Sequence, residues 1–263
     1  MSESNKYICE LIYQLADDNF IHSYRGSEWL GLAPHIEEDV AFSSINQDIM
    51  GHASMYYTLL EDLGEGNVDD ISHRRKPEEF RNAIILEEVN GPGNYLNKPQ
   101  YDWSFTVVRH LFFDVYKDIR LESLKQSSYE PLVHTARKIH TEQYYHLMHW
   151  KTWFKQLMSS TEEARNRMEN SIYRVYRNFG GVLSLGKYRD EISAYRLIAH
   201  EEELASEWIK QMNDLFDEVD FTIEGHPGME KGDGRNGEHT SDLTDALTVL
   251  SEVYTSDKEA IGW

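Results

Sequence analysis

Residues 45–60, INQDIMGHASMYYTLL, contain a clear helical pattern. The apolar side chains of Ile45, Ile49, Tyr56 and Leu59 follow one another at intervals of three, four and seven residues. Such intervals place side chains on a single face of an α-helix. The segment therefore predicts a long amphipathic helix with one face turned toward a core.

The same periodicity recurs along the chain, and only 6 prolines interrupt it. Four long helices are predicted near residues 4–31, 37–63, 102–127 and 130–158, and further helices near 162–183, 190–217 and 241–254. No alternating strand pattern and no fixed repeat is found. Helices of roughly 25 residues span about 35–40 Å, the proportions of a long four-helix bundle. We therefore predict one all-α domain over residues 1–263, a four-helix bundle with additional flanking helices.

The composition excludes several functional classes. The chain has 26 lysines and arginines and 46 aspartates and glutamates, which gives a net charge of −20. Such a charge repels phosphate backbones and anionic headgroups, so neither nucleic acid nor a membrane surface is an expected partner. The longest apolar run, Ala83–Leu86, is far shorter than a membrane-spanning helix, and the first ten residues lack the pattern of a signal peptide. One cysteine excludes a disulfide framework, and a reducing cytoplasm is the expected compartment.

Charged residues occupy faces that should be buried. Each of the four long helices carries a carboxylate on its apolar face, and three carry a histidine one turn later. These residues are Asp18 with His22, Asp48 with His52, Asp114, and Glu142 with His146. Burying such groups is costly unless each is paired or binds a metal ion. The pattern has the outline of a di-iron carboxylate bundle.

The spacing within these pairs argues against a working metal centre. Carboxylate-bridged sites use Glu-x-x-His, with three residues from the glutamate to the histidine. In this chain His52 follows Asp48, and His146 follows Glu142, by four residues. An i, i+4 pair still shares a helix face and can hold a metal. A buried hydrogen-bond network is the favoured interpretation, and a metal site at the seven residues is the alternative.

The polar segment 64–77 is predicted to form a surface loop. Its basic part, His73–Lys76, stands out in an acidic chain and is interpreted as solvated, with a phosphate or an acidic partner as the less favoured alternative. Motifs for nucleotide phosphates or for a nucleophile elbow are absent from the sequence. No catalytic and no cofactor-binding residue is predicted.

Several segments, in order along the chain, resemble a known family. They are LADD at 15–18 with RGSEWLGLAP at 25–34, EEDVA at 37–41 with NQDIMGHA at 46–53, EE at 87–88 with GPGNY at 91–95, EQYYH at 142–146, and GRNGEHT at 234–240. Together they resemble the ferritin-like PaaA/PaaC family of phenylacetyl-CoA epoxidase subunits, and within it the PaaC type. The resemblance covers nearly the whole chain.

This resemblance implies a ferritin-like fold and a place in a multicomponent monooxygenase that forms the 1,2-epoxide of phenylacetyl-CoA during phenylacetate degradation. It implies a homologous catalytic subunit with a di-iron centre, a small bridging subunit and a flavin/iron–sulfur reductase as partners. The chain itself is then a non-catalytic structural subunit without a cofactor of its own.

The sequence departs from the family pattern at His52, where glutamine is expected, and at His22, where an apolar residue is expected. Both changes add possible metal ligands inside the bundle. They keep open a second hypothesis, a ferritin-like oxidase or oxygenase with its own di-metal site. An iron-storage protein is a weaker third hypothesis, because these spacings do not supply a ferroxidase site.

Overall fold

The computed structural model of the protein describes residues 3–257. Over this range the helices are α1 (Glu3–Ser27), α2 (Ile36–Asp62), α3 (Val68–His73), α4 (Ile84–Glu87), α5 (Trp103–Leu124), α6 (Glu130–Met158), α7 (Glu162–Leu183), α8 (Arg189–Ala194), α9 (Glu201–Asp217) and α10 (Ser241–Ser256). The only β pairing in this range is an isolated bridge between Asn94 and Asn97. The ends of the predicted domain, residues 1–2 and 258–263, lie outside the described residues.

Helices α1 and α2 pack along each other as one hairpin, and α5 and α6 as another. Helix α5 lies in the core: every residue from Ser104 to Leu121 except Asp118 is buried. Helices α7 and α9 also pack against α5. The predicted all-α four-helix bundle with flanking helices is confirmed for the described chain. No described helix has the length and apolar character that crossing a membrane requires.

The first helix is shorter than predicted. It ends at Ser27 rather than near residue 31, and Gly31 adopts a left-handed conformation with φ of 78°. Trp29, which falls within the predicted range 4–31 but beyond the end of α1, is nevertheless buried, and its indole Nε1 donates to Thr106 Oγ1 at 3.0 Å. The core thus recruits an aromatic side chain from the turn, which periodicity alone assigns to the helix.

Two further predictions are corrected. The helix predicted near 190–217 is divided into α8 and α9, because Arg196 takes a φ of 57° and its carbonyl accepts a hydrogen bond from Ser128 N at 2.9 Å. The predicted surface loop 64–77 contains α3, whose N-cap Asn67 accepts from Asp69 N at 3.0 Å. A contact distant in the sequence thus accompanies the break between α8 and α9, whereas α3 begins at a local N-cap.

Candidate functional site

Four of the seven residues of the alternative metal site lie together where α2 faces α6. Nε2 of His146 is 3.0 Å from Asp48 Oδ2, and Nε2 of His52 is 2.7 Å from Glu142 Oε2. The two imidazoles are 6.0 Å apart between ring centroids. Each helix contributes one carboxylate and one histidine, so two hydrogen bonds cross the bundle in opposite directions. Both carboxylates are about 40% exposed, whereas both imidazoles are buried.

Lys117 of α5 occupies the bundle interior beside this cluster. Its ammonium group donates to Asn19 Oδ1 at 2.6 Å and to Nδ1 of His52 at 2.9 Å. Since Nδ1 accepts, Nε2 of His52 carries the ring proton and donates to Glu142. Burial, and then the charge of Lys117, lower the pKa of His52, which favours this neutral tautomer. Burial also lowers the pKa of Lys117, to about 8.

Asp18 does not join the cluster. Its two oxygens accept from the guanidinium of Arg235 at 2.8 and 2.9 Å, and Arg120 donates to Oδ2 at 3.0 Å. Ala83 N adds a backbone hydrogen bond at 3.0 Å. Burial alone would raise the pKa of Asp18, but the two guanidinium groups hold it below its ordinary value. This carboxylate is therefore saturated by fixed cations.

His22 and Asp114 are both fully buried. The imidazole of His22 packs against that of His110, with ring centroids 4.0 Å apart, and burial lowers its pKa well below the usual range. Asp114 lies one turn before Lys117 on α5, and burial raises the pKa of its carboxyl group. Gln143 of α6 donates to the backbone carbonyl of Asp114 at 3.2 Å.

These positions do not fit a di-metal centre. An ammonium group lies at hydrogen-bond distance from the ligand candidate His52, and two arginines saturate Asp18. In the part of the chain that the structure describes, no three His, Cys, Asp or Glu side chains are grouped so that they could hold a metal ion. The arrangement is instead a chain of hydrogen bonds across four helices, from Asn19 through Lys117 and His52 to Glu142.

The residues that hold this interior together were missing from the sequence prediction. Lys117 could have been found, because it lies one turn after Phe113 and one turn before Leu121 on the same helix face, where a lysine must be buried with a partner. Arg235 lies in the GRNGEHT segment, but nothing in the sequence assigns it to Asp18, 217 residues away. In the same segment His239 Nδ1 is 2.8 Å from Glu87 Oε2.

The basic segment His73–Lys76 is not simply solvated. The guanidinium of Arg75 pairs with the buried carboxylate of Asp17, and Tyr57 donates to the same carboxylate at 2.7 Å. The solvated interpretation is wrong for Arg75, because its charge is paired with Asp17 inside the fold.

An open groove of about 670 Å³ runs between α2 and α6. Asp48, Glu142 and His146 form one end of its lining. His149 and Trp153, at the other end, both contact Glu38, at 3.0 Å and 2.6 Å. The hydrogen-bond cluster is thus accessible from the surface through its carboxylates.

Comparison with known proteins identifies relatives. The model of a family described as phenylacetic acid catabolic protein matches residues 1–263. A curated relative is 24% identical over 238 residues, which cover 90% of this chain and 92% of the relative. That relative is one of the subunits of the 1,2-phenylacetyl-CoA epoxidase of Escherichia coli strain K12.

Proposed function

The chain belongs to the family of phenylacetic acid catabolic proteins, and from this premise we propose that it is a non-catalytic, structural subunit of a multicomponent phenylacetyl-CoA epoxidase. The named relative is a subunit of such an epoxidase, and the similarity extends over nine-tenths of both chains. In the proposed complex a homologous subunit holds the di-iron centre and forms the epoxide. The further proposed partners are a small bridging subunit and a reductase, in the cytoplasm.

The position of Lys117 is the observation that supports a structural role. A ferritin-like di-iron site gathers carboxylates and histidines from four helices around two cations. Here the cation among the corresponding side chains is an ammonium group of the chain itself, bonded to Asn19 and His52. A fixed positive charge meets the electrostatic demand of buried acceptors without binding or activating dioxygen.

The alternative of a metal-binding oxidase or oxygenase has one observation in its favour. Asp48, His52, Glu142 and His146 do converge, and the groove leads solvent to them. Under this alternative the chain would bind metal with these residues, and Glu142→Ala would abolish binding.

Elemental analysis together with co-purification tests the proposal. The chain, produced without a metal-affinity tag in iron-replete cells, is expected to contain less than about a tenth of an iron or manganese per chain, compared with two for an occupied di-metal site. It is also expected to recover the catalytic epoxidase subunit of the same organism from co-expressing cells. Close to two metals per chain, lost in Glu142→Ala, would replace the structural role with the oxidase alternative.

A further inference from the structure

The groove between α2 and α6 has the shape of a helix-binding site. Its lining runs along α2 from Glu37 to Asp48, roughly 16 Å, and along α6 from Glu142 to Gln156, roughly 21 Å. Three to four turns of a guest helix span that length. A helix in a groove between two parallel ridges is a recurrent mode of recognition.

Large apolar side chains are exposed at the groove. Tyr145 and Met148 line it from α6 and are 63% and 51% exposed. On α2, Ile36 and Val40 are 77% and 67% exposed but lie outside the lining of the groove. The α6 wall therefore offers exposed apolar surface to an occupant, the usual sign of an interaction site.

The charge of the groove selects the occupant. Four carboxylates line it, those of Glu37, Glu38, Asp48 and Glu142, and none of the described lining residues is a lysine or arginine. A second copy of this chain, with a net charge of −20, would bring further negative charge to this surface. A basic helix complements it.

We propose that this groove is the docking surface for a helix of the catalytic partner subunit, one that presents an apolar stripe flanked by lysine or arginine. The apolar stripe covers Tyr145 and Met148, and the basic side chains reach Asp48 and Glu142. The inference rests on the proposed function, because it names the surface through which the structural subunit binds its partner.

Matched substitutions test the apolar part. Met148→Glu places a charge in the groove, and Val249→Glu places one on α10 at a side chain of equal exposure, 50%. We expect Met148→Glu to weaken binding of the purified catalytic subunit by about tenfold or more, as measured by surface plasmon resonance. Val249→Glu is expected to bind like the wild type, and both variants should keep the wild-type helical circular dichroism.

The charge is tested with Glu37→Lys, in the first turn of α2, and with Glu203→Lys, in the first turn of α9, as its control. Only Glu37→Lys should slow association, and its deficit should shrink as salt is raised. A photo-crosslinking amino acid at position 145 then identifies the occupant, and the expected product is a basic helical segment of the catalytic subunit.

The outcomes separate the two proposals. If the wild-type chain binds no catalytic subunit, the proposed function fails and the docking surface fails with it. If the wild type binds but Met148→Glu and Glu37→Lys bind equally well, only the docking surface is refuted. Cross-links from position 145 to a second copy of this chain, or to an acidic segment, would also refute it.

Discussion

Lys117 makes the stability of the bundle depend on pH in the alkaline range. Its pKa is about 8 in the folded chain, below the ordinary 10.5. Between these values the unfolded chain holds a proton that the folded chain has released, so the contribution of this group to stability rises with pH. From pH 7 to pH 9.5, we expect the wild type to gain about 2 kcal/mol in free energy of unfolding relative to Lys117→Met.

Urea denaturation at the two pH values measures this difference. Lys138→Met, which removes an exposed lysine of α6, is the control. Its free energy of unfolding should change between the two pH values by the same amount as that of the wild type. If the free energy of unfolding of Lys117→Met also changed between the two pH values by the same amount as that of the wild type, the buried ammonium would keep its proton throughout this range.

Asp18 makes stability depend on pH in the acidic range. Asp18→Asn removes the negative charge between two buried guanidinium groups, which are left uncompensated. We expect a loss of about 3–5 kcal/mol in free energy of unfolding at neutral pH. The pKa of Asp18 is held low, so its stabilisation is present above the ordinary aspartate range and is lost as the pH falls through its folded value. Denaturation of the variant and of Asp62→Asn, an exposed control on α2, should show the large loss only for Asp18→Asn.

At the residue scale, the sequence predicts which face of a helix a side chain lies on, but not which side chain it pairs with. The spacing places Asp48 and His52 on the buried side of one helix, and Glu142 and His146 on that of another, and these four residues do meet. Which carboxylate pairs with which histidine depends on how the helices pack, which no local pattern contains. The same holds for Asp18, whose partner Arg235 lies in a segment without helical periodicity.

At the scale of helices, α1 and α2 are in close contact at Gly26. A Cβ atom there would lie 2.0 Å from Oδ1 of Asn46, a buried side chain on α2. We therefore expect Gly26→Ala to cost about 1–3 kcal/mol in free energy of unfolding, because the hairpin must open or Asn46 must leave its rotamer. Thermal denaturation measures the loss.

A double substitution identifies the cause. Neither polar atom of the Asn46 amide has a hydrogen-bond partner among the described residues, so adding Asn46→Ala should recover part of the loss. Gly51→Ala is the control, because a Cβ there meets nothing within 4 Å, and it should stabilise α2 by about 0.5–1 kcal/mol. Additive effects of Gly26→Ala and Asn46→Ala would contradict the steric explanation.

The existence of a helix could be predicted where its apolar stripe is uninterrupted. Most helix ends could not be predicted in the same way. The predicted range 130–158 of α6 coincides with the structure, since a proline in the first turn marks its beginning. The break between α8 and α9 has no glycine or proline to announce it. It follows from contacts with the end of α5, where Ala199 N donates to Ser123 Oγ at 2.8 Å, and with the connection to α6, where Ser128 N donates to the carbonyl of Arg196.

At the scale of the whole molecule, Arg235 joins the last part of the chain to the first helix. Besides Asp18, its side chain donates to the backbone carbonyls of Gly181, Val182 and Ser184. We expect Arg235→Met to destabilise the fold by about 3–5 kcal/mol and to speed proteolysis of residues 222–240. Arg189→Met, at a half-exposed arginine on α8, is the control and should leave the cleavage rate unchanged.

This distant pairing also determines when the protein can finish folding. Ribosomes add about 5–20 residues per second, so Arg235 is synthesised roughly 10–40 s after Asp18, which lies 217 residues earlier. During that interval the carboxylate of Asp18 has no complete set of partners, and the nascent bundle must keep that end hydrated. The closed core, and any surface that depends on it for docking, therefore forms only after Arg235 has been synthesised.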